Sequence, residues 1–160
     1  MSENLKSSAK RVQEFLTENG FDFLVKELPS STRTAVEAAA SIGCTVPQIA
    51  KSLIFKDSTS GNPVLVVASG SNRVSTSKIE SQTGLHLEKA DALFVKEKVG
   101  YAIGGVPPVA HNQNVRTILD PDLKQFEVIW AAAGTPNAVF KLKSSDLESL
   151  TKGTWIELAQ

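Results

Sequence analysis

The sequence predicts an α+β fold in which a mixed sheet is wrapped by helices. Three observations carry that expectation. Segments of period-two apolar alternation and segments of helical spacing share one chain without the strict strand–helix–strand order of a parallel α/β protein. The run Val64 to Ala68 in "PVLVVASG" is continuously apolar, as a strand buried on both faces requires. In "TAVEAAASIG", Thr34 and Glu37 stand in capping-box register and Gly43 marks the stop, which defines one helix at both ends. With 160 residues and 41% hydrophobic content, the chain is expected to form one domain over 1–160 with a real core and no staples.

The elements follow in order. "SSAKRVQEFLTENG" reads as a helix capped by Ser7 or Ser8, with Val12, Phe15 and Leu16 on one face and Gly20 at its end. "FDFLVKEL" alternates Phe21, Phe23 and Val25 as a half-buried strand. After the Thr34 helix, "TVPQIA" reads as a short helix with Thr45 near its cap and Pro47 in its first turn. "KSLIFKD" and "PVLVVASG" are two strands joined by the hairpin turn "STSGN". "STSKIESQTG" is a helix with Ser77 and Glu80 in box register, followed by a short strand around "LHLEK" and a helix "DALFVKEKVG" capped by Asp91. Then come strand "VRTIL", a turn at "DPDL", and strands "EVIWAAAG" and "AVFKL". A last helix capped by Ser145 and Glu148, and the segment "TWIEL", close the chain.

Composition excludes several classes of chemistry. Cys44 is the single cysteine, so no internal disulfide forms and a reducing compartment is expected. "MSENLKSSAKRVQEF" has no apolar stretch of signal-peptide kind, and no apolar run spans a bilayer, so a soluble, cytoplasmic protein without a membrane partner is expected. Lys plus Arg and Asp plus Glu each total 17, giving a formal net charge of zero. That argues against coating long nucleic acid by bulk charge, while leaving room for a basic pocket that takes one nucleotide or one strand end. Cys44, His86 and His111 lack ligand spacing, so no metal and no cofactor is expected. Cys44 follows a helix C-terminus, where the dipole raises a thiol pKa, and reads as a small buried apolar residue. His86 alternates with Leu85 and Leu87 and reads as solvent-facing. No GxSxG elbow, Walker loop or dinucleotide fingerprint occurs.

Four stretches hold the remaining candidates. "GYAIGGVPPVAH" has three glycines and two adjacent prolines but few reactive side chains. It is either a tight connection or a loop whose backbone is the tool, with bare N–H groups at Gly104, Gly105 and Val106 held by Pro107 and Pro108. Lys51, where "PQIA" gives way to the apolar "SLIF", is either a solvated gatekeeper or a fixed cation for a carbonyl or phosphate oxygen. "SGSNRV" offers a turn with Gly70, Asn72 and Arg73, which either only turns or binds a phosphate through backbone N–H groups and Arg73. "AAAGTPN" ends another strand in the same style.

"QIAKSLIF", "VLVVASGSNRV", "GYAIGGVPP", "TILD" and "AAAGTPNAVFKL", in this order and at these intervals, resemble the YbaK/prolyl-tRNA-synthetase-associated domain family of trans-editing aminoacyl-tRNA deacylases. The resemblance runs from "STRTAVEAAA" to the final helix. It implies a mixed, mostly antiparallel, barrel-like sheet and a freestanding hydrolase acting on the ester of mischarged tRNA, a small non-cognate amino acid on tRNA(Pro), with prolyl-tRNA synthetase as a candidate partner. It puts the family's catalytic lysine on Lys51 and its Gly-x-x-x-Pro loop on Gly104 to Pro108, so that Gly104, Gly105, Val106 and Pro108 join Lys51 as catalytic candidates. The strand-end aspartate falls on Asp120 and the late glycine on Gly134. With Asn72, Arg73, Pro107, His111 and Thr135, these make up the substrate-binding candidates. Where the cysteinyl-tRNA(Pro) deacylase branch carries Ser, this chain has Pro107, and "VPPVAH" resembles branches with a His after the prolines. Two other readings stay open: a non-catalytic module binding a tRNA end or an adenylate-like ligand beside a synthetase, and a Cys44/His111 hydrolase.

Overall fold

The computed structural model describes residues 7–160. "MSENLK", on which part of the signal-peptide expectation rests, lies outside the described residues. Five helices, α1 (Ser7–Glu18), α2 (Ala35–Ile42), α3 (Thr76–Thr83), α4 (Ala92–Lys98) and α5 (Leu147–Thr151), accompany eight strands. The strands are β1 (Val25–Glu27), β2 (Ile49–Asp57), β3 (Pro63–Ser69), β4 (Leu87–Lys89), β5 (Arg116–Leu119), β6 (Val128–Ala132), β7 (Ala138–Lys143) and β8 (Thr154–Trp155). They form one sheet in the order β1-β7-β6-β2-β3-β5-β8, with β4 also paired to β2. The pairs β1/β7, β6/β7, β2/β3 and β2/β4 are antiparallel, while β2/β6, β3/β5 and β5/β8 are parallel. This is the α+β, mixed and mostly antiparallel architecture that the sequence implies. No helix of the described residues is long and apolar enough to cross a membrane.

Local chemistry explains most boundaries. All seven residues of β3 are buried, as its unbroken apolar run requires. The α2 box is complete: Glu37 N–H donates to Thr34 Oγ1, Thr34 N–H donates to the Glu37 carboxylate, and Gly43 adopts the left-handed stop at φ 86°. Asp91 accepts from Phe94 N–H and caps α4.

Other elements differ from expectation. The strand read in "FDFLVKEL" shortens to β1, because Gln13 of α1 takes the backbone groups a neighbouring strand would have taken. Its side chain accepts Val25 N–H and donates to Phe23 O, and Phe21 and Phe23 stack at 5.4 Å. "TVPQIA" makes only a 3-10 turn, Val46–Gln48, before β2 starts at Ile49. That early start comes from parallel pairing of Ile49 with Trp130 and Ala50 with Ala131, so Lys51 sits inside β2 and not at its first residue. The cap of α3 is Ser75, not Ser77, and Glu80 turns instead to Leu87 N–H. "DPDL" is the start of a 3-10 stretch, Pro121–Gln125. Ser145 lies in a 3-10 turn that leads into α5, which has no side-chain cap, and Glu148 accepts Trp155 Nε1–H.

Two features position the site. Ala38 and Ala39 of α2 pack with Ile49 and Trp130, which lays this helix over the β2/β6 face. The segment 99–115 between α4 and β5 folds on itself: Asn112 N–H donates to Val99 O at 3.0 Å and the buried Tyr101 hydroxyl donates to Ala110 O at 2.8 Å. A loop packed by its own side chains holds its backbone groups in fixed directions.

Candidate functional site

Between α2, the exposed side of β2 and β6, and the loop at Gly104 lies a pocket of about 420 Å³. Lys51, Arg33, Gly104, Val106, Trp130 and Ile103 are among its lining residues. Lys51 reaches it from β2, half-buried, and its Nζ donates to Asn72 O at 2.6 Å and Gly70 O at 3.3 Å. Burial pushes its pKa below the ordinary lysine value of 10.5; the charge of Asp120 opposes that shift and Arg73 adds to it.

Asp120 stands one layer behind. It is 1% exposed and lines no part of the pocket. Its carboxylate accepts Ser69 N–H at 3.0 Å, the Asn72 side-chain amide at 2.8 Å and Asp122 N–H at 3.0 Å. The aspartate therefore shapes the turn that presents two carbonyls to Lys51. Asn72 touches Lys51 through its backbone, whereas its side chain faces Asp120 and Asp122. Arg73 is exposed on the same turn and does not line the pocket.

The glycine loop meets the pocket from the other side. Gly104 has φ 97°, a conformation that L side chains rarely adopt, and the stem of Arg33 crosses the space a Cβ would fill. Gly104 N–H and Val106 N–H have no protein acceptor among the described residues. Gly105 corrects the expectation of three bare amides. Its N–H donates to Ala102 O at 3.1 Å, and its carbonyl accepts Gly134 N–H at 2.9 Å. It does not line the Lys51 pocket, and a Cβ there would stand 2.8 Å from the Thr135 backbone. Gly134 and Thr135 are thus a strap behind the loop.

Pro107, Pro108 and His111 lie further back. His111 Nε2–H donates to Pro107 O at 2.7 Å, and Pro108 and His111 open onto a different, wider surface depression with Arg11 and Asn112. Cys44 packs against the α2 cluster, burial raises its thiol pKa, and it lines neither the Lys51 pocket nor the depression at His111. A Cys44/His111 pair is therefore not assembled. His86 is exposed, as expected. Among the described residues no group of three His, Cys, Asp or Glu is placed to hold a metal.

Arg33, Trp130 and Ser52 enter the pocket without having been singled out in the sequence. Arg33 immediately precedes the α2 cap, a cation placed by a strong helix-start signal. Trp130 stands opposite Ile49 through the parallel ladder. Ser52 lines the pocket with a buried Oγ that has no hydrogen-bond partner among the described residues. The lining contains two cations, the unpaired N–H groups of Gly104 and Val106, and no carboxylate, imidazole or thiol. Such a set holds an anion or a developing oxyanion and supplies no strong side-chain base.

Known proteins resemble the chain over most of its length. A crystal structure of "a putative trans-editing enzyme for prolyl tRNA synthetase" superposes with a TM-score of 0.91 at 43% identity, covering 98% of this chain and 99% of that one. YwhH of Bacillus subtilis is 29% identical over 96% of this chain and 98% of its own length. The "Putative Cys-tRNA(Pro)/Cys-tRNA(Cys) deacylase EbsC" of Enterococcus faecalis is 27% identical over 78% of this chain and 76% of its own length. A family match over residues 29–150 spans every residue that lines the Lys51 pocket, and by it the chain belongs to the aminoacyl-tRNA editing domain family.

Proposed function

We propose that the protein hydrolyses the ester of a mischarged tRNA, removing a small non-cognate amino acid from tRNA(Pro) in the cytoplasm. The observation that carries this reading is the meeting of Lys51 with the free amides of Gly104 and Val106 around one pocket whose lining has no thiol, imidazole or carboxylate. An aminoacyl ester is already activated, so its hydrolysis needs placement of water and stabilisation of an oxyanion more than a protein nucleophile. The Gly104 and Val106 amides receive the charge that builds on the carbonyl oxygen as water adds. Lys51 holds the carbonyl or the phosphate of the terminal adenosine, fixed by the Gly70 and Asn72 carbonyls. With no base in the lining, the ribose hydroxyl of the substrate's own end orients the water.

The named relatives support the carrier and the size of the amino acid, since one is described with prolyl tRNA synthetase and another with Cys-tRNA(Pro). A pocket of about 420 Å³ lies toward the small end of ligand sites, about 300–1,000 Å³, and must also take the terminal ribose. The test is a deacylation panel of alanyl-, seryl-, cysteinyl- and prolyl-tRNA(Pro) with phenylalanyl-tRNA as the bulky control. Turnover of one or more of the small non-cognate esters, with prolyl-tRNA spared, is the expected result. Efficient hydrolysis of the bulky ester or of prolyl-tRNA(Pro) overturns the small-pocket reading. Binding of all without turnover makes the protein a non-catalytic module.

A further inference from the structure

The sheet face that floors the pocket continues past it along β7 and β1, and there it is basic. Lys26, Lys141 and Lys143 are exposed and alternate with the buried Val25, Phe140 and Leu142, so all three stand on the pocket's side of the sheet. The register joins them to the pocket wall: Lys26 lies opposite Val139, and Lys141 lies opposite Trp130. Val139 and Trp130 both line the pocket. The ammonium of Lys141 is 5.8 Å from the centre of the Trp130 ring.

No acid interrupts this row on β1, β6 or β7. Val128, Trp130 and Ala132 share the face on β6, and Glu27 alternates to the other side with Val25. The ion pair found among the described residues is Lys56 with Glu88, on β2 and β4, away from the row. In a chain of zero net charge, three lysines without carboxylate partners are a local feature. Lys26 on the terminal strand has an ordinary use, since edge lysines discourage strand addition. β1 covers β7 only from Ala138 to Phe140, so the same use extends to the open side of Lys141 and Lys143, but it does not account for their standing on the pocket's face beside Trp130.

We infer that this face guides the single-stranded 3′ end of the substrate RNA into the pocket, with phosphates on Lys26, Lys141 and Lys143 and a base against Trp130. The inference rests on the deacylase reading and adds the route by which the RNA arrives. A cationic track beside an aromatic side chain is the general means of holding single-stranded nucleic acid without reading its sequence. Lys141 and Lys143, two residues apart on a strand, are spaced about 6.6–6.8 Å, so each addresses a separate charge on an extended backbone.

The test uses the full-length protein with Lys26→Gln, Lys141→Gln and Lys143→Gln combined. All three side chains are exposed, and the far-UV circular dichroism checks that the fold is kept. The triple variant should raise KM for aminoacyl-tRNA about tenfold or more, with the loss falling on KM and not on kcat. The dependence of log(kcat/KM) on log salt should flatten by about two units, at about 0.7 for each phosphate no longer neutralised. Uncharged tRNA(Pro), read by fluorescence anisotropy, should lose affinity in parallel, and Trp130→Leu should weaken it without changing the salt slope. Unchanged KM and slope in a wild-type background that deacylates overturns the route and leaves the activity standing. If the wild type deacylates nothing, the deacylase reading falls, and equal binding of uncharged tRNA by wild type and triple variant then removes the route as well. Competition by poly-glutamate equal to that by tRNA would assign the face to an acidic protein and overturn the proposal.

Discussion

The ammonium of Lys51 lies 2.6 Å from the backbone oxygen of Asn72, and the side-chain amide of Asn72 lies 2.8 Å from the carboxylate of Asp120. One residue therefore links the pocket's cation to a buried anion that never reaches the pocket. The link orients the lysine through two carbonyl dipoles without neutralising it in an ion pair. A cation held this way keeps its charge available for a ligand oxygen, which a direct carboxylate partner would take up.

Lys51→Ala is expected to reduce deacylation by about 10²–10³-fold, the usual cost of one lost oxyanion partner. Stability should not suffer. Burial lowers the lysine pKa below 10.5, so just under that value the unfolded chain binds more protons than the folded one. Unfolding free energy then rises with pH through that window in the wild type. Urea denaturation between pH 7 and 10 should show this rise, reduced in Lys51→Ala. The Lys51-dependent rate should decline on the alkaline side earlier than an ordinary lysine would allow.

Asp120→Ala should cost both stability and activity. It leaves Ser69 N–H and Asp122 N–H without their acceptor, while the Asn72 amide keeps only Asp122, and a buried donor so orphaned costs about 1–3 kcal/mol. A purely structural role would stop there. Because the charge of Asp120 also holds the Lys51 pKa up, Asp120→Asn should move the alkaline limb of the rate profile to lower pH. A limb that stays in place while the protein loses stability would confine Asp120 to the turn.

What could be read along the chain was what short spacings encode. Thr34, Glu37 and Gly43 define α2 by contacts within a few residues, and the apolar run of β3 records its burial on both faces. Lys51 and Gly104 were legible through motif spacing. The parallel ladder that starts β2 at Ile49 was not, because it joins residues some eighty positions apart and leaves no local periodicity. The same ladder brings Trp130 to the pocket, and the Gly104 loop brings Arg33 into contact with it. Asp120, Gly134 and His111 stood out in sequence as candidates to touch substrate. Gly134 and His111 instead touch the glycine loop from behind, and Asp120 touches the turn that holds Lys51, a difference that only burial and partner identity reveal.

Gly104→Ala and Gly105→Ala should separate activity from stability. At Gly104 the added Cβ meets the Cγ of Arg33 at 2.6 Å, so this exposed side chain must change rotamer, and the positive φ adds about 1–2 kcal/mol. Activity should fall further than stability, because the strained backbone carries the Gly104 donor with it. At Gly105 the Cβ meets the Thr135 backbone at 2.8 Å, which cannot swing, and the Gly134 hydrogen bond to the Gly105 carbonyl is strained. Thermal denaturation should therefore rank Gly105→Ala as the less stable. Equal melting temperatures for the two variants would refute the strap.

His111 makes stability depend on mild acid. Its ring packs edge-on to Tyr101 with centroids 6.4 Å apart, and its Nε2–H pins the Pro107 carbonyl at 2.7 Å. Burial lowers its pKa below 6.5; the bond to Pro107 opposes the shift, and Arg11, stacked over Tyr101, adds to it. The unfolded chain thus takes up a proton at pH values where the folded chain still resists it. The stability this provides is complete above 6.5 and is lost as pH falls from there through the folded value. Denaturation midpoints measured from pH 7.5 to 5 should fall in the wild type and fall less in His111→Gln, which keeps a donor for Pro107 but has no proton to gain. The same variant tests whether the histidine acts on the loop alone. If His111 only braces Pro107, His111→Gln retains most of the deacylase rate at pH 7.5, whereas His111→Ala loses rate because the loop has lost its rear support. A histidine working as a base would lose rate equally in both, and that result would move His111 from behind the loop to the chemistry itself.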